Sequence, residues 1–223
     1  MPTATEVLAQ LKRKGSKSGV AGMARFGIVA RKAYGVSVGD MRAMAKKIGP
    51  DHALAAKLFA SGWQEGRMLA FFIDDPKLVT PRQMDAWAKG FENWGDCDTA
   101  CFHLFDKTPH AWKKIEQWST RREEFVKRAS FALLASVALH DKQAPDAPFL
   151  KSLKLIEREA GDDRNFVKKG VSWALRGIGH RNPKLRAAAL KTAARLVKSD
   201  VPSARWIGRD AQRDLLRGRR RPE

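Results

Sequence analysis

Residues 125 to 134 read FVKRASFALL, and residues 166 to 175 read FVKKGVSWAL. The two stretches lie 41 residues apart at their start and 42 after a one-residue slip. Each carries its apolar residues on one helical face: Val126, Ala129, Leu133 and Val137 in the first, Val167, Val171, Ala174 and Ile178 in the second. A match at that period implies a helical pair that recurs along the chain and buries its apolar face against the next copy.

Working outward, the same spacing recurs throughout the 223 residues, while no segment alternates apolar and polar residues as a half-buried strand would. The chain is expected to be all-α. The periodicity predicts helices over 3–14, 18–31, 37–48, 51–61, 64–73, 81–90, 94–106, 109–118, 122–139, 146–160, 164–178, 183–198 and 203–217. Ser37 with Asp40, Thr80 with Pro81, and Asn182 with Pro183 are cap signals, and Gly49-Pro50 and Gly161 mark ends. Short links make neighbours antiparallel, which gives five hairpins from residue 51 onward. A period near 41 falls in the HEAT and armadillo range. The expected architecture is one HEAT-like α-solenoid over residues 1–217, curved around a basic concave groove lined by the second helix of each pair. A globular helix bundle is the alternative. Residues 218–223 read as a flexible basic tail.

Charge narrows the function. There are 43 Lys and Arg against 24 Asp and Glu, a formal net charge of +19, which is more than solubility requires. Basic residues are spread through KRKGSK, RKAYG, AKKIG, WKKIEQW, VKRAS, VKKG and RGIGHRNPKLR, as a nucleic-acid partner would want. A membrane-surface protein would concentrate them in one amphipathic segment. No stretch is apolar enough to span a bilayer and the N-terminus lacks the apolar centre of a secretory signal, so the expected location is cytoplasmic, associated with the nucleoid. Cys97 and Cys101 are too few for a metal set and badly placed for a disulfide. They read as reduced core residues.

Helical phase then selects the residues beside the core. In NWGDCD, residues 93 to 98, Cys97 is core, Asp96 falls at the surface, and Trp94 and Asp98 share a face with Phe102 or Phe105. Arg128 and Lys169 occupy matching positions in the two repeats, and Trp173 lies one turn beyond Lys169. Trp94 with Asp98, Arg128, and Lys169 with Trp173 are expected to face one groove. Indole faces suit bases and cations. A carboxylate among phosphates is repulsive unless it pairs with Arg128, accepts a proton or stabilises positive charge on a substrate. A plain Asp98–Arg128 ion pair between helices is the structural alternative. The histidines, His52, His103, His110, His140 and His180, are scattered, and no nucleophile triad or phosphate-binding glycine loop is present. Asp74-Asp75-Pro76 and Asp162-Asp163 read as turn and cap residues, and Trp63, Trp87, Trp112, Trp118 and Trp206 as packing.

GMARFGI (22–28), AYGVSVGDMRAMAKKIG (33–49), ENWGDCD (92–98), FVKRASFAL (125–133) and FVKKGVSWALR (166–176) together resemble the AlkD-type DNA alkylation repair proteins over roughly residues 20 to 215. The resemblance implies a HEAT-like fold and a monofunctional DNA glycosylase that excises N3- and N7-alkylated purines from duplex DNA in base excision repair, without metal or cofactor. It puts the family's tryptophan and aspartate at Trp94 and Asp98, its arginine at Arg128 and its second tryptophan at Trp173. Phe26, Lys127, Lys168, Lys169, Arg176 and Arg181 are the DNA contacts expected beside them, in a protein acting as a monomer. Where the family often has tyrosine, Met23-Ala24-Arg25-Phe26 has phenylalanine, and a hydroxyl is missing. Some relatives bind DNA without excising bases. A non-catalytic binder of damaged or branched DNA is therefore the second reading, and a scaffold for RNA or an acidic protein the third.

Overall fold

A computed structural model describes residues 2 to 217, and the basic tail lies outside them. The described residues form thirteen α-helices and one short 3-10 turn, with no strand among them. They group into two compact units, one ending at His110 and one beginning at Ala111.

The first unit contains α1 (Ala4–Lys14), α2 (Lys17–Arg25), α3 (Val38–Ile48), α4 (His52–Ala60), α5 (Gln64–Ile73), α6 (Pro81–Lys89) and α7 (Trp94–His103), followed by the 3-10 turn Phe105–Lys107. Ser37 and Thr80 each accept a backbone N–H of the helix they open, as expected from the sequence, and Asp51 and Asn93 do the same for α4 and α7. α4 packs on α1 and α5, and α5 packs on α3 and α7. α6 and α7 approach less closely than a tight hairpin would. α6 is held instead through Trp87, whose ring stacks on Phe59 at 4.4 Å and meets Phe71 and Phe105. These rings and Phe91 form the core of the unit, and each large apolar side chain withdrawn from water there contributes about 1.5–3 kcal/mol.

The helix predicted over 18–31 ends at Arg25. Gly27, at φ 72°, supplies the left-handed residue that stops it. Gly27 N–H then returns to the Ala24 carbonyl and Ile28 N–H to the Met23 carbonyl, the paired bonds of a Schellman end. Residues 26 to 37 continue without regular structure.

The second unit contains α8 (Ala111–Ser119), α9 (Glu124–His140), α10 (Asp146–Glu159), α11 (Asn165–Gly179), α12 (Pro183–Val197) and α13 (Pro202–Arg217). α8 pairs with α9, α10 with α11, and α12 with α13. The first helices, α8, α10 and α12, adjoin in one layer, and the second helices, α9, α11 and α13, in another. That is the stacking expected of a helical repeat. α9 is the centre of the unit: every residue from Arg128 to Ala138 is buried. The core positions expected on α11, namely Val167, Val171, Ala174 and Ile178, are all fully buried.

Candidate functional site

In the first unit, the sequence motifs around Phe26 and Trp94 come together. Trp94 opens α7, and its indole Nε1 donates to the backbone carbonyl of Phe26 at 2.9 Å. Ile28 packs against Gly95, where an added Cβ would sit 3.3 Å from Ile28 Cδ1. Asp98 lies one turn beyond Trp94, and both are half-buried. Phe102 continues that face, whereas Phe105 is in the core.

Asp96 is not the surface residue expected. It is fully buried. Its carboxylate receives Arg67 Nη1 at 3.0 Å, Gln64 Nε2 at 2.7 Å and the Glu92 backbone N–H at 3.3 Å. Arg67 also donates to Glu92 at 2.8 Å, and Asn93 donates to Gln64 at 3.0 Å. Burial pushes the Asp96 carboxyl upward, against the opposing pull of the Arg67 charge. The reason for the difference is tertiary. α5 lies against α7 and brings a polar end, Gln64 and Arg67, to the turn that Asp96 occupies.

The loop after α2 is tied to the same structure. The Arg31 backbone N–H donates to Glu92 at 2.9 Å, and Gln64 N–H donates to the Lys32 carbonyl at 2.8 Å. The fully buried Glu65 carboxylate accepts the backbone N–H groups of Tyr34, Gly35 and Val36 at 2.7–3.2 Å. Tyr34 in turn stacks on Trp63 at 3.9 Å. α2 itself buries no residue and overlies a cavity of about 450 Å³ walled by Met23, Ile28, Val36, Met41 and Met68.

In the second unit, Arg128 and Lys169 are not equivalent, although the repeat matches them. Lys169 is exposed, whereas Arg128 is buried and donates Nη1 to the Phe166 carbonyl at 2.7 Å. α11, packed on α9, supplies that carbonyl, and Gly170 meets the Arg128 stem, its Cβ position 3.5 Å from Arg128 Cγ, an ordinary contact distance.

Other expected DNA contacts have internal partners. Lys127 holds Glu159 at 2.8 Å and Asp162 at 2.9 Å. Burial opposes its charge, but these hydrogen bonds outweigh it and hold the ammonium above its ordinary pKa. Hydrogen bonding from Arg164, joined by Lys127, lowers the Asp162 carboxyl to about 2 despite partial burial. Arg181 donates to the carbonyls of Ala138, Asp141 and Ala144 and covers the Phe149 ring at 4.0 Å. Burial lowers its pKa. Lys127 and Arg181 therefore tie the chain together, contrary to the expectation of cations presented to DNA. Arg176 stands 3.5 Å from Asp210 and 3.7 Å from Asp214, and Lys168 lies over the Trp206 ring at 5.0 Å.

Trp173 is half-buried beside a cleft of about 170 Å³ bounded by Leu139, Arg176, His180 and Asp214. His180 pairs with Asp214 at 2.6 Å, and Ser172 donates to Asp210 at 2.6 Å. In the first unit His52 pairs with Asp74 at 2.6 Å, and Gln83 holds the other carboxylate oxygen at 2.7 Å. Burial raises the Asp74 pKa against these bonds. The partners of His52 and His180 lie 22 and 34 residues away in the sequence. No periodicity marks such pairs in advance. Among the described residues no cluster of His, Cys, Asp and Glu is arranged to hold a metal ion.

An all-helical chain whose second unit stacks helices in pairs has the fold of a HEAT-like repeat protein. The chain shares that fold with a solved structure described as belonging to "a new family of proteins related to the HEAT-like repeat DNA glycosylases with affinity for branched DNA structures". The two are 19% identical, the match covers 98% of this chain and 96% of the other, and the TM-score is 0.80. No curated protein matches the chain. The family model of the DNA alkylation repair enzymes matches residues 7–215, and the chain belongs to that family.

Proposed function

We propose that the protein is a DNA glycosylase that removes positively charged N3- or N7-alkylated purines from duplex DNA. The observation that carries this reading is the division of labour between two carboxylates of α7. Asp96 is withdrawn into the buried pair with Arg67, while Asp98 stays half-buried on the face of Trp94. One carboxylate fixes the helix and the other remains near the surface of a strongly cationic protein.

The chemistry asks for little more. An alkylated purine is cationic, and when its bond to C1′ breaks the electron pair leaves with the base, which becomes neutral. The sugar becomes an oxocarbenium ion. Asp98 stabilises that charge and accepts the proton of the water that adds to C1′. Trp94, one turn from Asp98 on the same helix, packs against the sugar-phosphate chain. The exposed Lys169, with Arg176 and Lys168, adds charge for the phosphates.

Release of 7-methylguanine from methylated duplex DNA, compared between wild type and Asp98→Asn, tests the reading. Pure wild-type protein that releases no base sinks it. Asp98→Asn should abolish release while leaving DNA affinity unchanged or raised, because it removes a negative charge from an anion-binding protein. A second reading, a non-catalytic binder of branched DNA, is favoured by the description of the structural relative. Tight binding to unmodified junctions, indifferent to Asp98 and without base release, selects it.

A further inference from the structure

Phe26 is 76% exposed and Val29 is 68% exposed, which makes them the most exposed large apolar residues described before Leu216 near the end of α13. The two lie three residues apart on one loop, and here the exposure is built. Ile28, between them, packs on Gly95, so the loop has an apolar anchor facing inward and two apolar side chains left outside. The backbone beneath them is fixed by the Schellman end at Gly27, the Trp94 bond to the Phe26 carbonyl and the Arg31 bond to Glu92. Arg25, Arg31 and Lys32 flank the pair and are exposed.

We propose that Phe26, backed by Val29, is a wedge that enters a weakened base step of duplex DNA. The inference rests on the reading of the protein as a DNA binder and is independent of base excision. Charge complementarity selects the occupant: the rim is cationic, the net charge is +19, and the tip is a flat ring of a size to lie between base pairs. A protein partner with an apolar pocket would not call for the three exposed cations, Arg25, Arg31 and Lys32, that flank the pair in the sequence. Inserting an apolar side chain costs a few kcal/mol of unstacking at an intact step and less where stacking is already interrupted. The wedge therefore gives preference for damaged, nicked or branched DNA over perfect duplex. Its backbone anchor, Trp94, is one helical turn from Asp98.

The test uses the full chain and two oligonucleotide duplexes with 2-aminopurine at the same position, one intact and one with a nick beside the label. Saturating wild-type protein should raise the fluorescence of the nicked duplex several-fold and bind it about 10-fold more tightly than the intact one. Phe26→Ala should lose the fluorescence rise and most of the preference while keeping its helical circular dichroism and its affinity for intact duplex. Phe26→Tyr, which keeps the ring, should retain both. If Phe26→Ala and wild type give the same fluorescence and preference, or if bound wild type gives no rise, the wedge is wrong although DNA binding stands. The exposed ring would then serve another kind of partner. Failure of wild type to bind either duplex at low salt would overturn the DNA reading itself, and the wedge with it.

Discussion

The indole N–H of Trp94 donates to the carbonyl of Phe26 at 2.9 Å, across 68 residues of sequence. That one bond seats the loop after α2 on the first residue of α7. Replacing Trp94 with phenylalanine keeps an aromatic ring and removes the donor. The carbonyl left behind lies near the surface and regains water, so the loss should be about 1 kcal/mol and not a buried-group penalty. Urea denaturation followed by circular dichroism checks it. A loss above about 3 kcal/mol would mean that the ring's packing is the larger contribution.

Asp96 and Asp98 are two residues apart, and stability should separate them. Asp96→Ala leaves Arg67 in a buried setting with Glu92 as its one remaining charge partner among the described residues, and should cost about 3 kcal/mol or more. Asp98→Asn keeps the size and polarity of a half-buried side chain and should cost clearly less stability than Asp96→Ala. Base release should follow the reverse order once each variant is assayed well below its melting temperature. Equal destabilisation by the two substitutions would contradict the buried network.

What the sequence could tell about these residues follows from how far the information reaches. A helix imposes its own period, so Cys97, Val126, Leu133, Val167 and Ala174 were identifiable as core from their neighbours alone, and all are buried. Asp96 was misplaced because the Arg67 and Gln64 that bury it belong to another helix, about 30 residues earlier in the chain. Arg128 and Lys169 match in sequence and differ in burial because the partner of Arg128 belongs to another helix: α11 packs on α9 and supplies the Phe166 carbonyl to Arg128. The end of α2 was missed even though its signal, Gly27, is local: the apolar period continues through Ile28 and Val29, and only the positive φ reveals the stop. Net charge was legible, but which cations it leaves for a ligand was not, since the partners of Lys127 and Arg181 lie in other elements.

The Asp162 cluster should leave a mark on acid stability. Its carboxyl titrates near 2 in the folded protein against 3.8 when unperturbed. A depressed carboxyl adds stability that is complete above the unfolded value and disappears as pH falls through the folded one. The stability difference between wild type and Asp162→Asn should therefore be constant above about pH 5, up to roughly 2 kcal/mol, and shrink between pH 4 and pH 2. Chemical denaturation at each pH reads it. A difference that persists undiminished at pH 2 would show that the contribution does not come from the charge.

Lys127 and Lys169 offer the sharpest contrast for DNA binding, because sequence placed both among the contacts and the structure treats them differently. Lys169 is exposed and has no ion-pair partner among the described residues, whereas Lys127 is held between Glu159 and Asp162. A lysine that neutralises a phosphate releases one counterion, and its removal reduces the slope of log affinity against log salt by about 1. Lys169→Ala should show that reduction with little change in stability. Lys127→Ala should leave the salt slope as it is and destabilise the fold, because it takes one of two cations from each of two nearly buried carboxylates. Fluorescence anisotropy titrations of a labelled duplex over a range of salt concentrations measure both slopes. A reduction of about 1 for Lys127→Ala would mean that DNA draws this lysine out of its internal pairs, and the assignment of Lys127 to the scaffold would then fail.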